Sequence, residues 1–310
     1  MKYEKLGNSG LKISRICLGS NNFGSQVSQL DSMKILQTAF DLGVNIVDTA
    51  NIYTQGKSEQ IIGEWARGRR DDIIIATKVG MEQSENRNRR GLSRVNIVNQ
   101  LEKSLERLKT DYIDLYYVHQ FDDETPLSET LKTLDHLVRE NKVRYIACSN
   151  FSAEQLSESI GLQLSFDLEN FIANQVRYNA LQREIEAETI PFCLKQSVGI
   201  IACNPLRSGF LAGRYEKNFP PPEGSRGKAR GAEYLKNIAT DENFARLDKL
   251  KKIAKEAGIS LPVLSISWIL AHRGVTSAVV GASNPDQFKE TVSSSDLTLS
   301  DEIVRQVNEV

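Results

Sequence analysis

Eight short runs rich in Ile, Val and aromatic residues recur along the chain, at residues 15–19, 45–50, 73–78, 113–119, 143–149, 171–176, 199–203 and 277–281. Segments of helical period lie between them, among them 30–42, 58–67, 95–108, 128–140, 153–160 and 184–196. Short apolar runs read as strands buried on both faces, and the 3.6-residue repeat reads as amphipathic helix. Strict alternation of the two implies a parallel sheet, because each strand is regained through a right-handed helical crossover. Eight such units favour a closed (β/α)8 TIM barrel, an α/β fold, over an open doubly wound sheet. The 310 residues suit one barrel of ~250 residues with insertions. No linker separates two cores, so residues 1–310 are expected to form a single domain.

Ahead of the first unit, residues 3–6 and 11–14 flank Gly7-Asn8-Ser9-Gly10, a set of turn residues that reads as a β-hairpin. It should plug the N-terminal end of the barrel, where the next strand enters. Beyond the last strand, 285–291 and 301–310 read as closing helices. The long irregular segments 80–92, 120–127 and 204–240 all follow strands, which gathers them at the C-terminal face, where barrel enzymes place their chemistry. The third carries Pro220-Pro221-Pro222 and Gly224-Ser225-Arg226-Gly227 and is expected to be an extended, basic flap over a charged ligand.

Composition removes several function classes. With 39 Lys and Arg against 40 Asp and Glu, no net field holds a polyanion, and nucleic acid is not an expected partner. No apolar run approaches the ~18 residues that span a bilayer, and the opening MKYEKLGNSG is charged where a signal peptide is apolar. The expectation is a cytoplasmic protein without a membrane partner. Cys17, Cys148, Cys193 and Cys203 lie far apart and read as reduced thiols. His119, His136 and His272 are the only histidines, without Cys-x-x-Cys or His-Glu-x-x-His spacing, so no metal site is expected. Gly56-Lys57-Ser58 lacks the earlier glycine of a phosphate loop, since Asn51 stands there, and no Gly-x-Gly-x-x-Gly follows the first strand.

Asp48, Lys78 and His119 fall at the ends of the second, third and fourth expected strands, with Tyr53 just beyond Asp48. Neighbouring barrel strands bring their ends to one rim. An ionisable group ending an apolar strand is costly unless paired, so Asp48 and Lys78 read as a pair. An ammonium beside a phenol is expected to draw its pKa from about 10 towards neutral, making Tyr53 a proton donor to a carbonyl oxygen. Asp48 keeps Lys78 charged, and His119 can hydrogen-bond the same carbonyl. Reduction also needs a hydride, for which a nicotinamide cofactor is the natural source. The same strand-end lysine leaves a Schiff-base aldolase open, although Asp48 opposes the lowered Lys pKa that such chemistry requires.

Around this constellation the chain resembles the aldo-keto reductase family over essentially its whole length. The stretches that carry the resemblance are KLGNSGLKISRICLGSNNFG, GVNIVDTANIYTQGKSEQIIG, ATKVG, GLSR, SLERLKTDYIDLYYVHQFD, NKVRYIACSNFS, NQVRYN, NPLRSGFLAGRY and VVGASNPDQF. The resemblance implies a (β/α)8 barrel that binds an extended nicotinamide dinucleotide without a Rossmann domain. It implies a tetrad of Asp48, Tyr53, Lys78 and His119, with Tyr53 as general acid. It places Ser149, Asn150 and Gln175 at the carboxamide, Gly19 and Ser20 near the ring, and Pro205, Leu206, Ser208, Gly209, Leu211 and Arg214 along the pyrophosphate. Gly281, Ser283, Gln287 and Glu290 would surround the adenosine half, and Arg226 could pair with a 2′-phosphate. Cys203 stands where many relatives carry an aromatic against the nicotinamide, and Asn204 replaces a frequent Ser.

The resemblance favours NADP(H). NAD(H) stays open because Ser283-Asn284 lacks the basic residue of many relatives. The implied activity is reduction of small aldehydes or ketones to alcohols. Likeness to the potassium-channel β-subunit branch gives an alternative, a cofactor-binding redox sensor with little turnover, against which the presence of His119 favours catalysis. The substrate would be set by residues 81–90 and 120–123, where Glu82, Glu85, Arg87 and Arg89 offer polar contacts. Substrate identity and oligomeric state are not fixed at this level.

Overall fold

The computed structural model describes residues 1–81 and 86–310. Strands β1 (Tyr3–Lys5) and β2 (Lys12–Ser14) form an antiparallel hairpin. Strands β3 (Ile16–Gly19), β4 (Ile46–Asp48), β5 (Ile74–Val79), β6 (Ile113–Val118), β7 (Val143–Ser149), β8 (Phe171–Arg177), β9 (Gly199–Cys203) and β10 (Val275–Val280) follow. They close a parallel barrel in chain order, with β10 pairing back onto β3. All eight expected strands form. The crossovers are α1 (Gln29–Asp41), α2 (Lys57–Trp65), α3 (Arg94–Leu108), α4 (Leu127–Arg139), α5 (Ala153–Ser165) and α6 (Thr189–Gln196). Between β9 and β10 come α7 (Arg226–Arg230), α8 (Ala232–Leu235), α9 (Asp241–Glu256) and α10 (Leu261–Ala271), and α11 (Pro285–Val292) and α12 (Asp301–Asn308) close the chain.

The two-residue repeat of a strand sorts its side chains into two buried populations. Inward-facing Cys17, Ile46, Ala76, Leu115, Tyr117, Ala147, Ala173 and Ile201 fill the barrel together with Leu6 and Ile13 of the hairpin region. Outward-facing Ile16, Leu18, Val47, Ile75, Tyr116, Val118, Ile146 and Ile200 pack beneath the helices. The hairpin seals the N-terminal end as expected. A β-carbon at Gly7 (φ +53) would lie 2.1 Å from the Ile172 carbonyl oxygen and 2.8 Å from Gly199 N, at the starts of β8 and β9.

Three expectations need correction. The segment 184–196 is not one helix: a 3-10 turn at Glu184–Glu186 precedes α6. Pro191 explains the break, because deep in a longer helix its ring would clash with the carbonyl of Ala187, whereas the first turn of α6 tolerates it. The helix expected at 153–160 runs on to Ser165. Gly161 faces open space, and the Ser152–Gln155 capping box offsets its poor propensity. The flap is not extended throughout, since Arg207–Ala212 makes 3-10 turns and Ser225 Oγ caps α7 by accepting from Lys228 N.

All four cysteines are free, and Cys17, Cys148 and Cys193 are buried. No single described helix is long and apolar enough to cross a membrane, and α9 with α10 reaches that length only across a 92° bend. The apolar α10 is a core element, with Trp268 and Ile269 fully buried.

Gly7→Ala would force a β-carbon against the Ile172 carbonyl at positive φ. It is expected to lower unfolding stability by about 2 to 3 kcal/mol in a urea titration.

Candidate active site

Stepping two residues past each inward apolar side chain reaches the open rim of the barrel. There stand Gly19 after Cys17, Asp48 after Ile46, Lys78 after Ala76 and His119 after Tyr117. Ser149 follows Ala147, Gln175 follows Ala173, Cys203 follows Ile201 and Gly281 follows Val279 in the same way. Strand alternation thus delivers the polar layer on top of the apolar one.

Lys78 is fully buried and Asp48 nearly so. Lys78 Nζ donates to Asp48 Oδ1 at 2.5 Å and to the Thr49 carbonyl at 2.8 Å. Gln175 Nε2 donates to the other carboxylate oxygen, Asp48 Oδ2, at 2.7 Å. An ammonium has three donors, so one remains for the cavity. Burial works to lower the Lys78 pKa, but the charge of Asp48, the neighbouring Tyr53 hydroxyl and the hydrogen bond to Asp48 raise it above its ordinary value. Lys78 is therefore a permanent cation.

Tyr53 opens the 3-10 turn Tyr53–Gly56, which runs through left-handed Thr54 (φ 51), Gln55 (φ 55) and Gly56 (φ 86) into α2. Thr54 Oγ1 donates to the Phe23 carbonyl at 2.7 Å. The Tyr53 ring centre lies 5.2 Å from Lys78 Nζ and 6.0 Å from the His119 ring, edge to face. Burial pushes the Tyr53 pKa above its ordinary value, and the lowering effect of Lys78 does not overcome it. The expected fall towards neutral is thereby corrected. The ammonium is already neutralised by Asp48, so the phenol meets a dipole rather than a free charge. Tyr53 holds its proton.

Burial, with the charge of Lys78 as second cause, pushes the His119 pKa down to about 3. The imidazole is neutral, and its Nδ1 is buried without a hydrogen-bond partner among the described residues. Asn150 Nδ2 donates to the His119 carbonyl at 3.1 Å and to Ser149 Oγ at 3.0 Å, while Ser149 Oγ donates to the Gln175 carbonyl at 3.0 Å. Tyr117, on the inward face as expected, lies with its ring 5.6 Å from Lys78 Nζ.

After β9 the backbone turns through Asn204 (φ 56), Arg207 (φ 41), Ser208 (φ 60) and Gly209 (φ 89). Asn204 Oδ1 accepts from Ser208 N at 2.8 Å, and Ser208 Oγ bonds the Tyr234 hydroxyl. Tyr215 ties this turn to α7 by donating to the Ser208 carbonyl and accepting from Gly227 N, each at 3.0 Å. Arg226 Nη2 reaches across to Asn21 Oδ1 at 2.5 Å and Asn22 Oδ1 at 2.9 Å, in the loop after β3.

One cleft of about 660 Å³ joins these groups. It is lined by Gly19, Ser20, Asp48, Tyr53, His119, Ser149, Asn150, Gln175, Cys203, Asn204, Pro205, Leu206, Ser208, Gly209, Arg214, Arg226, Gly281, Ser283 and Gln287. Three candidate residues stand apart from that lining. Lys78 lies behind Asp48, Leu211 packs in the hydrophobic core, and Glu290 is exposed on α11. Gln175 serves Asp48 with its side-chain amide. Glu82 and Glu85 lie outside the described residues, as does the Arg87 side chain.

Asn21, Asn22, Tyr234, Arg177, Arg207 and Arg230 also line the cleft and escaped the sequence reading. Strand alternation could have found Arg177, one inward step past Gln175. The others sit in segments without period. Their charge matters: among the described residues five arginines, at 177, 207, 214, 226 and 230, line the cleft, and the one acid, Asp48, is paired with Lys78. No ion pair joins these arginines to a carboxylate among the described residues. A chain of net charge −1 thus concentrates cations at one place, which fits a polyanion such as a dinucleotide diphosphate. The volume also suits a cofactor-sized ligand.

A family model described as the aldo/keto reductase family matches residues 15–310. The chain is 34% identical, over 306 aligned residues, to an Arabidopsis thaliana protein named probable voltage-gated potassium channel subunit beta, with 96% of this chain and 92% of the relative covered. It is 33% identical to an Oryza sativa subsp. japonica protein of the same name, with 100% and 96% covered. It is equally 33% identical, with the same coverage, to the uncharacterized oxidoreductase YrpG of Bacillus subtilis (strain 168).

The depressed His119 pKa fixes a pH dependence. Unfolded His takes up its proton near pH 6.5 and folded His119 only near 3. Between those values the unfolded chain holds more protons, so His119 makes stability fall as pH falls from 6.5 towards 3. Proton NMR should find the His119 ring signals unmoved from pH 8 to 5, and His119→Asn should flatten that part of the acid-stability curve.

Proposed function

The chain belongs to the aldo/keto reductase family, an oxidoreductase family, and on that premise we propose that it reduces an aldehyde or ketone to the alcohol with NADP(H), Tyr53 giving the proton. The observation that carries this reading is the meeting of the Tyr53 phenol and the His119 imidazole at one arginine-lined cleft, with the Asp48-anchored ammonium of Lys78 directly behind them.

The cleft arginines and the turn at residues 204–209 would hold NADPH, which when bound would supply a hydride to the carbonyl carbon. The chain's own residues do the rest. The carbonyl oxygen sits between the Tyr53 hydroxyl and the His119 ring, and neutral His119 orients it without competing for the proton. As negative charge grows on that oxygen, the Tyr53 proton moves to it. An alkoxide is a far stronger base than a phenolate, so this transfer needs no acidified phenol. The phenolate left behind is stabilised by the remaining donor of Lys78, which Asp48 and Gln175 hold in place, and it recovers its proton from water. The five cleft arginines suit the diphosphate, with capacity for a further phosphate, which supports NADP(H) over NAD(H).

Two rivals draw less support. A Schiff-base role needs a free amine at position 78, whereas this nitrogen is engaged by Asp48 and the Thr49 carbonyl and its pKa is raised. The relatives named as channel subunits suggest a cofactor sensor, but a complete set of proton-handling groups at the cleft favours turnover.

Tyr53→Phe is expected to lower kcat for a panel of carbonyls by about 10² to 10⁴ while leaving NADPH affinity, read by fluorescence titration, nearly unchanged. Wild-type turnover in that variant would refute the assignment.

A further inference from the structure

Behind the barrel wall, on the side away from the cleft, Glu59 of α2 is completely buried. Its Oε1 accepts from Thr77 Oγ1 of β5 at 2.6 Å, and its Oε2 accepts from Arg107 Nε of α3, also at 2.6 Å. Arg107 Nη2 continues to Ser104 Oγ at 3.2 Å. Arg107 is half-buried, and a carboxylate buried with one cationic partner is a poor choice for stability alone, because apolar side chains of the same volume commonly do as well. Neither residue lines the cleft.

Gly56 shows what the pair touches. It ends the turn that begins with Tyr53, and a β-carbon there would lie 2.7 Å from Arg107 Cδ and 2.8 Å from Arg107 Nε. The arginine stem therefore lies against bare backbone of the turn. That turn holds three successive residues at positive φ, Thr54, Gln55 and Gly56, a conformation that persists only where its surroundings enforce it. At the other end of the network, Thr77 is the chain neighbour of Lys78. A second tie runs in parallel, with Asn51 Nδ2 donating to Gln100 Oε1 of α3 at 3.2 Å.

We propose that the pair formed by buried Glu59 and half-buried Arg107 is a positioning device for the proton donor, clamping the Tyr53–Gly56 turn to β5 so that the phenol stays in register with Lys78. The proposal rests on the reading of Tyr53 as proton donor. Arg107 and Glu59 are positioning residues and touch no reacting atom.

The test replaces the pair without stranding a charge, as Glu59→Gln/Arg107→Met. With the clamp gone, kcat falls about 10- to 100-fold, while KM for the carbonyl and affinity for NADPH change less than about threefold. Added to Tyr53→Phe, the same two substitutions cost nothing further, since the donor they position is absent. In cofactor-free protein labelled with fluorotyrosine, the Tyr53 resonance, assigned by its loss in Tyr53→Phe, shifts or splits; Tyr116, which feels the charges of Glu59 and Arg107 directly, moves whether or not the turn does, and the other tyrosines hold. Arg107→Lys keeps a cation for Glu59 and recovers part of the rate, and it serves as the measured variant if the pair replacement does not fold.

Wild-type kcat with an unmoved Tyr53 resonance overturns the clamp. So does a loss of equal size with and without the Tyr53 hydroxyl. An inactive Tyr53→Phe beside a fully active pair variant overturns the clamp alone, whereas an active Tyr53→Phe overturns the donor reading and the clamp with it.

Discussion

A lysine with no exposure at all, held by one carboxylate and one carbonyl, is the constraint around which the rest of the barrel mouth is arranged. Removing either charge would leave the other uncompensated, a change that typically costs about 3 to 5 kcal/mol. Gln175 completes the set by occupying the second oxygen of Asp48. The pair is neutral as a whole, and two consequences follow for its neighbours. Tyr53 feels too little positive field to lose its proton, and His119, crowded by burial and by Lys78, does not gain one. The site holds one transferable proton, on the phenol, and one neutral ring to orient what receives it.

Fold and chemistry are joined by the two-residue repeat of the strands. The same alternation that stacks Ala76, Ala147 and Ala173 in the barrel places Lys78, Ser149 and Gln175 one layer higher. The hairpin closes the opposite end, leaving one mouth. Above it, the segment between β9 and α9 brings Arg207, Arg214, Arg226 and Arg230 to the cleft, and Arg226 fastens that segment to the loop after β3. Most of the positive charge is thus carried by the segment after β9, and the proton chemistry by strand ends and the Tyr53 turn that follows β4, two functions that share a cavity and differ in what supports them.

Much of this was legible in the sequence where a period or a pairing rule applied. The eight strands and the Asp48–Lys78 partnership follow from alternation and from the expense of burying a charge, and Tyr117 was placed on the correct face by counting residues. Pro191 marked a helix boundary that its missing N–H should have announced. Other features have no local signature. The contacts of Arg226 with Asn21 and Asn22 span some two hundred residues, and the seating of Arg107 against Gly56 depends on how α3 lies on α2. The Tyr53 pKa could not be read from residue types either. Its direction is decided by burial, which outweighs the nearby ammonium, and burial is a property of the assembled barrel.

The most direct test of a phenol kept protonated by burial beside a neutralised lysine is the pH dependence of kcat for carbonyl reduction. The acid form must be present for turnover, so the rate is expected to stay level through neutrality and to fall only above about pH 10. A decline centred near pH 7, abolished by Tyr53→Phe, would show an acidified phenol and contradict this account.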